Sequence, residues 1–412
     1  MRMNLGVLCG FAYIFLLSIQ LTLVWVEVRR QRNTLRNIDL RNLPNPTPWH
    51  RIVVVQPILS GDPMLSQVLQ KNLRSLPPQV HFLWLIDHAD KEAQRIANAI
   101  LEVSMKEYPP DEATLDPSNP RVSILLCPTA ETDINPKSFK LQLALEKVHR
   151  EYFVVLDDDT MICPQTLSTT IDWLEFVDLY TGLPSYHRGV NLWSDLVAHF
   201  VNNNAVKTYL PPNVIFPPIS INGMFYGVKT NTLRTMGGFR SIWHVLCDDH
   251  AIHQLFVQHG KIIKQGIARV EISTNLTGAL AYMRLMHRWM VFASLLIRQQ
   301  YWFIQVTLGI LLGLPPILLW IALLQSGSNW HSLVFVTALL GLRQLIIALV
   351  QRVAFDQVLS TNWWRSLVAE LVQPFQLVSA LIWPMIVWRE KRIRVDSPNA
   401  FRILQPNDTC SQ

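Results

Sequence analysis

The stretch EYFVVLDDDTMICPQTL, residues 151–167, joins a strand-like apolar run to three consecutive aspartates. The run 152–156 leads directly into Asp157, Asp158 and Asp159. Adjacent carboxylates repel one another, and burying them without a partner is costly. The stretch therefore predicts a strand that ends where a positively charged group binds.

Three further apolar runs precede this strand, and helix-like segments separate them. The runs are RIVVVQPI (51–58), VHFLWLID (80–87) and RVSILLC (121–127), and the helix-like segments lie near 63–74, 90–106 and 138–149. Such alternation is typical of an α/β fold whose mostly parallel sheet is covered by helices on both faces. In these sheets ligands bind beyond the carboxyl ends of the strands, where Asp87 and the aspartates 157–159 fall.

The composition indicates that other parts of the chain lie in a membrane. Half of the 412 residues are apolar and only 16% are charged, whereas a typical soluble domain has about 25% charged residues. The apolar run 5–28 is long enough to cross a bilayer and is followed by Arg29, Arg30 and Arg32. Because it lacks a small-residue cleavage site and positive charge marks the cytosolic side, we expect a retained anchor with the downstream chain in the cytosol.

The C-terminal part of the chain carries more apolar runs of membrane-spanning length. These runs lie at 301–324, 333–350 and 366–388. Arg343 and Glu370 fall inside them, so we expect both side chains to face a protein interior or a lumen. Three full crossings would place the basic segment 388–395 outside, against the positive-inside tendency. Pro374 and Pro384 favour instead a re-entrant or interfacial third segment.

Two acidic motifs are candidates for chemistry. Asp157 and Asp159 at the end of a strand can present two carboxylates to a divalent cation whose other ligands are diphosphate oxygens. A solvated turn is the alternative, because aspartate is common in turns. Asp248 and Asp249 precede a helix-like run, so one of them can act as a general base for a hydroxyl nucleophile, or both can cap the helix.

Two neighbouring segments also allow two interpretations each. The glycines of residues 221–239 permit close approach of the backbone to a ligand, or they simply form turns. Arg284, Arg288 and Trp289 precede the C-terminal membrane region, where they anchor the chain at the interface or hold a phosphate group.

Several function classes lose their main support. His244, His250 and His253 match no strong zinc spacing, and we expect them at the surface. No GxGxxG, GxxxxGK[ST] or HExxH motif occurs, which argues against a dinucleotide enzyme, a P-loop ATPase and a zincin. The net charge of +6 comes without a run of basic residues interleaved with aromatics, so we expect no nucleic-acid partner.

In their order along the chain, these residues resemble the ceramide glucosyltransferase family, membrane-bound relatives of the large inverting family 2 of GT-A glycosyltransferases. The agreement runs from about residue 51 to 396. The ordered matches are Pro57, Gly61-Asp62-Pro63, Asp87-His88, Ile134-Asn135-Pro136-Lys137, Asp157, Gly182-Leu183-Pro184, Gly223-Met224, Gly237-Gly238, Asp248-Asp249, Arg288-Trp289 and the basic segment WREKRIRV. The resemblance implies a GT-A nucleotide-sugar-binding domain with transmembrane helices at both ends.

The resemblance also implies roles for residues at matching positions. Asp87 would help hold the uridine, and Lys137 would lie near the nucleotide. Asp157 and Asp159 would bind a divalent cation, Mg2+ or Mn2+, together with the diphosphate. Asp249 would be the catalytic base that removes the proton of the acceptor hydroxyl.

The sequence departs from the family pattern at three motifs. Leu285 stands at the Q/R position of the (Q/R)xxRW signature, whose end matches Arg288 and Trp289 as substrate-binding residues. Asp248 replaces the family's Glu, and Asp-Asp-Asp at 157–159 replaces the Asp-Ser-Gly of the ceramide enzymes. The last change resembles the DxD motif of other glycosyltransferases, and it leaves the acceptor open.

The hypothesis from the sequence is a membrane-bound inverting glycosyltransferase that moves a hexose from a UDP-sugar to a lipid hydroxyl. Ceramide, diacylglycerol and hopanoid-like alcohols are all open as acceptors. The alternatives are a processive polysaccharide synthase, which Leu285 and the small membrane part disfavour, and a non-enzymatic membrane scaffold or transport component that retains the fold. The predicted parts are a transmembrane anchor (1–33), a linker (34–50), a cytosolic GT-A catalytic domain (51–290), a C-terminal membrane region (291–396) and a tail (397–412).

Overall fold

The four predicted strands form one side of a larger sheet in the computed structural model of this protein. The structure describes residues 5–39, 47–107, 121–131, 133–327, 329–388, 391–397 and 400–404. The strands are β1 (Ile52–Ile58), β2 (His81–Asp87), β3 (Val122–Cys127), β4 (Tyr152–Leu156), β5 (Thr160–Met161), β6 (Leu179–Tyr186), β7 (Phe225–Lys229), β8 (Ile263–Ile272), β9 (Met385–Trp388), β10 (Lys391–Ser397) and β11 (Ala400–Leu404).

Helices precede and follow these strands. They are α1 (Leu5–Asp39), α2 (Leu65–Ser75), α3 (Lys91–Glu107), α4 (Pro136–Lys147), α5 (Pro164–Leu174), α6 (Leu192–Ile215), α7 (Thr230–Thr235), α8 (Asp248–Gln258), α9 (Ala279–Arg298), α10 (Trp302–Leu308), α11 (Leu314–Gln325), α12 (Trp330–Phe355), α13 (Trp363–Leu371) and α14 (Gln373–Ile382). A π-helical turn, Gly309–Gly313, connects α10 to α11.

The large sheet is mixed and mostly parallel, which confirms the predicted fold class. Among the described residues its strand order is β3-β2-β1-β4-β7-β6-β8-β5. β1 pairs in parallel with β2, where Val53 lies opposite His81, and with β4, where Val53 lies opposite Phe153. β7 runs antiparallel to both β4 and β6. The direction of the strands therefore reverses next to β4, the strand whose carboxyl end carries the three aspartates.

The helices that begin near the acidic motifs share one hydrophobic core with these strands. Residues 152–156 of β4 are all buried, as their apolar character requires. Phe153 and Val155 share a hydrophobic core with Leu141 and Leu145 of α4 and with Ile252 and Phe256 of α8. The core thereby determines where the first turns of α4 and α8 lie, and those turns carry Lys137 and Asp248–Asp249.

The chain forms two compact units, and each is discontinuous in sequence. The first, termed the membrane unit, comprises Met1–Asn33, Ser185–Pro217 and Leu276–Gln412, and the second, termed the sheet unit, comprises Thr34–Pro184 and Pro218–Asn275. The range 51–290, predicted as one catalytic domain, therefore contains residues of both units.

Three helical stretches among the described residues are long and apolar enough to cross a membrane, so the chain is an integral membrane protein. They are Leu5–Asn37, Trp302–Gln325 and Trp330–Phe355. They coincide with the first three of the four apolar runs of membrane-spanning length, 5–28, 301–324 and 333–350. The last of these runs, 366–388, overlaps two short helices, α13 and α14, of 9 and 10 residues. At about 1.5 Å per residue, each is too short for a hydrocarbon core of about 30 Å.

The predicted linker and tail are only partly described. The first helix ends at Asp39, so its last residues fall within the range 34–50 that was predicted to be extended. Residues 40–46 of the linker lie outside the described residues. Of the tail, 398–399 and 405–412 also lie outside them, and β11 pairs antiparallel with β10.

The two charged residues within the apolar runs pair with each other in the membrane unit. Arg343 Nη2 lies 2.7 Å from Glu370 Oε2, and both side chains are buried. The Tyr13 hydroxyl donates to Glu370 Oε1 at 2.9 Å, and Arg343 donates to the Ser366 carbonyl at 2.9 Å. The prediction that both face a protein interior is confirmed. Each charge has a partner, as burial of an ionised group requires.

Candidate active site

The start of α4 is held by one asparagine. The Asn135 side-chain oxygen accepts hydrogen bonds from first-turn backbone N–H groups, including that of Lys137 at 2.9 Å, and Pro136 takes a position where no N–H is needed. The Asn135 amide nitrogen donates to the carbonyls of Val245 (3.2 Å) and Leu246 (3.0 Å). A single side chain therefore connects the turn that carries Lys137 to the segment that leads into α8.

Lys137 is the positively charged group at the end of β4. Its Nζ lies 2.7 Å from Asp157 Oδ1 and 3.0 Å from Asp248 Oδ2, and it donates to the Gly223 carbonyl at 2.9 Å. Burial alone lowers the pKa of Lys137, but Asp157 and Asp248 more than offset it, so the pKa lies well above its usual value. Lys137 is therefore a cation that joins a strand end to a helix start.

The three consecutive aspartates have different partners. Asp157 pairs with Lys137, whereas Asp158 Oδ2 accepts the Leu59 backbone N–H at 2.8 Å. Asp159 Oδ1 accepts the hydroxyl of the next residue, Thr160, at 2.9 Å. Burial and the neighbouring carboxylates raise the pKa of Asp158 to about 7 and that of Asp159 to about 8. If all three aspartates were ionised, their negative charge would exceed what the one lysine can balance.

Asp249 lies in the first turn of α8, and its side chain accepts a hydrogen bond from that turn. The N-cap is Cys247, which makes no side-chain capping bond. Asp249 Oδ1 accepts the backbone N–H of His250 at 2.8 Å and the Cys247 thiol at 2.7 Å. Burial, followed by the charge of Asp248, raises the pKa of Asp249. A carboxylate with a raised pKa in this position is suited to accept a proton.

Gly223 lies directly against Asp249. A Cβ at position 223 would come within 2.7 Å of the Asp249 Cβ, so only glycine allows this approach without a shift. The same glycine's carbonyl accepts a hydrogen bond from Lys137. We term the five carboxylates of this region the acidic cluster: Asp157, Asp158, Asp159, Asp248 and Asp249.

Asp87 has its own lysine, which the sequence analysis missed. Lys140 Nζ lies 2.8 Å from Asp87 Oδ2, and its side chain is almost fully buried. Lys140 also donates to the Ile58 carbonyl at 3.4 Å. The signal was present in the sequence, because Lys137 and Lys140 stand three apart and therefore share one face of α4.

Arg288 and Trp289, the other predicted substrate-binding residues, lie in α9 of the membrane unit. The Trp289 ring packs against Tyr186 and Phe200, with ring centroids 6.3 Å apart in each pair. Burial lowers the pKa of Arg288, and the Tyr186 hydroxyl opposes this effect. The substrate-binding role of these two residues stays a prediction.

The expectation of surface histidines is wrong for two of the three. His250 and His253 are buried in α8 with their rings stacked at 6.5 Å, and His253 Nε2 lies 2.7 Å from the Pro218 carbonyl oxygen. Burial lowers the pKa of His253. His244 is exposed and lies 3.4 Å from Asp133. A helix buried on several sides accommodates histidines that a one-sided surface helix would expose.

The donor chemistry at the end of β4 fits a hard divalent cation. Within the described residues there is no group of three or more His, Cys, Asp and Glu side chains that could hold a metal by itself. Mg2+ is commonly held by one or two carboxylates and completes its shell with substrate phosphates and water. Asp157 and Asp159 would supply such a pair, and a cation there would offset the repulsion between neighbouring carboxylates.

The family comparison covers nearly the whole chain: the profile described as Glycosyl transferase family 21 matches residues 10–400. Among solved structures, the chain is similar to the mannosyltransferase PcManGT from Pyrobaculum calidifontis in complex with GDP-Man and Mn2+, at 15% identity over 87% of this chain and 99% of that chain, with a TM-score of 0.44.

Two further solved structures are similar at lower scores. S. aureus TarS 1–349 in complex with UDP-GlcNAc is 11% identical over 86% of this chain and 99% of that chain, with a TM-score of 0.36. Glucosyl-3-phosphoglycerate synthase from Mycobacterium tuberculosis, in complex with Mn2+, uridine-diphosphate and phosphoglyceric acid, is 13% identical over 58% and 77%, with a TM-score of 0.32. The comparison with curated proteins gives no match.

Proposed function

This chain belongs to glycosyl transferase family 21, and on that premise we propose that it transfers a hexose from a UDP-sugar to the hydroxyl group of a membrane lipid, with inversion at the anomeric carbon. The chain is a glycosyltransferase and an integral membrane protein. The acidic cluster around Lys137 carries the proposal, because it combines surplus carboxylates, a lysine and a candidate base in one unit.

The nucleotide side of the site consists of groups at the carboxyl ends of the strands. Asp87 ends β2 and is held by Lys140 through one carboxylate oxygen, and we assign its other oxygen to the nucleoside. Lys137 supplies a positive charge for phosphate oxygens. Asp157 and Asp159 would hold the cation, which when bound neutralises the negative charge of the departing nucleoside diphosphate.

The reaction needs a base on the acceptor side, and we assign this role to Asp249. Its carboxylate takes the proton of the acceptor hydroxyl as the hydroxyl oxygen bonds to the anomeric carbon. The bond from that carbon to the diphosphate oxygen breaks on the opposite face, which inverts the configuration. The raised pKa of Asp249 supports this role, since a base works best when its pKa is nearer to the working pH.

A lipid is the acceptor that best matches an enzyme with this much membrane-spanning helix. Arg288 and Trp289, in the membrane unit, are proposed to contribute to substrate binding. Ceramide, diacylglycerol and hopanoid-like alcohols are compatible with the proposal. The cluster Arg29, Arg30 and Arg32 after the first span supports a sheet unit that faces the cytosol.

Topology is tested with sealed vesicles and added protease. In inside-out vesicles, the residues between the first span and α9 should be digested, whereas in right-side-out vesicles they should be protected. The opposite pattern would reverse the orientation. A second membrane protein with a tag on its known cytosolic side serves as the control, because digestion of that tag shows that the cytosolic face of the vesicles is exposed.

The activity is tested with purified protein, a panel of nucleotide sugars and a total membrane-lipid extract, with the products identified by mass. A lipid that has gained a single hexose supports the proposal, and Asp249→Asn is the matched inactive control. A ladder of added sugars would indicate a processive synthase. A folded protein that neither transfers sugar nor hydrolyses any nucleotide sugar, with metal present, would indicate a scaffold or transport component.

A further inference from the structure

The ammonium group of Lys137 occupies a place for which a metal ion would compete. Its Nζ is 2.7 Å from Asp157 and 3.0 Å from Asp248. Asp157 is one of the two carboxylates proposed to hold the divalent cation. The Lys137 ammonium group is thus already paired with Asp157, which the proposed mechanism requires as a ligand of the divalent cation.

We propose that Lys137 is an internal counter-ion that holds Asp157 and Asp248 together while the donor site is empty and competes with the divalent cation for Asp157. A nucleoside diphosphate would end this competition by giving Lys137 phosphate oxygens to bind. Cation binding is then weak without nucleotide and strong with it. The inference rests on the proposed function in one respect, because it takes Asp157 as a cation ligand.

The contacts of Lys137 allow such an exchange. Its backbone is fixed in the first turn of α4 by the Asn135 cap, so only the flexible side chain has to move. The Lys137 side chain is 19% exposed, so it is not fully enclosed by the protein. Its third contact is a neutral carbonyl, that of Gly223. The positive end of the α4 dipole, at this same turn, also favours an anion.

Lys140 provides a matched comparison on the same helix. It too is a lysine paired with an aspartate, at 2.8 Å from Asp87. Its side chain is only 3% exposed, and its ammonium group also donates to the Ile58 carbonyl at 3.4 Å. Replacing either lysine removes one positive charge from one face of α4, but only Lys137 contacts Asp157. Comparing the two replacements therefore distinguishes direct competition for Asp157 from the general electrostatic effect of losing one positive charge.

The test measures Mn2+ binding directly, by the electron paramagnetic resonance signal of free Mn2+, on purified protein without any nucleotide sugar. We expect Lys137→Met to bind Mn2+ about 10- to 100-fold more tightly than wild type, since it removes a unit charge in contact with the ligand. Lys140→Met should stay within about threefold of wild type, because its charge is further from Asp157. Lys137→Arg, which keeps the charge, should behave like wild type.

Nucleotide supplies the second arm of this test. Adding UDP, which allows no turnover, should tighten Mn2+ binding more in wild type than in Lys137→Met, because only wild type has a competitor to remove. By linkage, Mn2+ must tighten UDP binding by the same factor in each protein. The readout does not depend on the acceptor, so it can fail while sugar transfer to a lipid stands, and the reverse.

Three results would overturn the proposal: unchanged or weaker Mn2+ binding in Lys137→Met, equal tightening in Lys140→Met, or no Mn2+ binding in any variant. Should Lys137→Met be poorly folded without metal, thermal unfolding replaces the binding curve. Mn2+ should then raise its Tm more than that of wild type, because a ligand stabilises the state that binds it more tightly. Equal Tm shifts would also reject the competition.

Discussion

Two of the ion clusters in this protein, one buried and one half-buried, differ in charge balance. In the membrane unit, Arg343 and Glu370 form a one-to-one pair at 2.7 Å, with both side chains at most 5% exposed. In the sheet unit, Lys137 bridges Asp157 and Asp248 at the edge of the acidic cluster, and these side chains are 19–26% exposed. The first cluster is closed to solvent and its carboxylate is paired, whereas the second is open and has more carboxyl groups than cations.

This difference separates a structural ion pair from a binding site. A buried pair persists when each charge is matched and the remaining polar atoms find partners, as Tyr13 and Ser366 provide for Glu370 and Arg343. Burial together with a surplus of carboxylates instead raises pKa values, as it does for Asp159, and the repulsion between the carboxylates is relieved when a cation binds. The unbalanced cluster is where a ligand changes the energy most.

The largest expected effect comes from removing the proposed cation. Asp159→Ala, or an excess of chelator, should abolish sugar transfer, because the departing diphosphate then lacks its neutralising charge. Asp158→Asn is the matched control: its side-chain oxygen still accepts the Leu59 N–H, so most of the activity should remain. Initial rates of sugar transfer measure the loss of activity in each variant, and circular dichroism verifies that each variant is folded. Full activity in chelator would remove the cation from the mechanism.

The next largest effect is expected for Asp249→Asn. Asparagine cannot take the acceptor's proton, so the rate should fall roughly 10²–10⁴-fold while UDP binding persists. Because the folded state raises the pKa of Asp249, its ionised form costs stability at neutral pH, and the variant should be at least as stable as wild type. Asp248→Asn is the milder comparison. Near wild-type transfer by Asp249→Asn would place the base elsewhere.

The parts of this site that share a strand or a helix could be predicted from the sequence. Apolar runs and their spacing predict β1 to β4 within about two residues at either end, and the rule for carboxyl ends of parallel strands places Asp87 and Asp157 at the site. The apolar run 366–388 is divided into α13 and α14, and Pro374 stands in the first turn of α14, where a proline is expected. These features depend on local periodicity and on backbone chemistry.

The pairings across the fold could not be predicted in the same way. That Lys137 bridges Asp157 and Asp248, and that Lys140 holds Asp87, depends on how α4 packs on the sheet beside α8. The prediction that His250 lies at the surface was wrong for the same reason, because the exposure of a side chain depends on neighbours that are distant in sequence. The membership of 185–217 in the membrane unit likewise depends on tertiary contacts.

For the closed cluster, the expected effect is on stability and not on chemistry. Arg343→Met leaves Glu370 buried without its partner, which should cost about 3–5 kcal/mol of unfolding free energy. The double variant Arg343→Met/Glu370→Met should recover much of this loss and should still transfer sugar. Thermal unfolding in detergent and transfer assays check both points. Loss of transfer in a stable double variant would break the comparison and give the pair a functional role.

The pH profile gives a smaller effect with a definite sign. A raised pKa means that Asp249 keeps its proton to higher pH, so the acid limb of kcat/KM should lie above the ordinary aspartate range of about 3–5. In the Asp249→Asn variant the residual rate should lose this limb. Rates measured between pH 4 and pH 9 would test it, and an identical acid limb in both proteins would assign the limb to another group.

The smallest effect is expected at Asn135, whose side chain caps α4 at the turn that carries Lys137. Asn135→Ala removes the cap of α4, which costs about 1 kcal/mol, and also the bonds to the Val245 and Leu246 carbonyls. Asn135→Asp keeps the cap but cannot donate to those carbonyls. If the link to α8 positions Lys137 against Asp248, both variants should lower kcat several-fold, although only Asn135→Ala loses the capping contribution to stability. A normal kcat in Asn135→Asp would show that the packing of α4 alone holds the lysine in place.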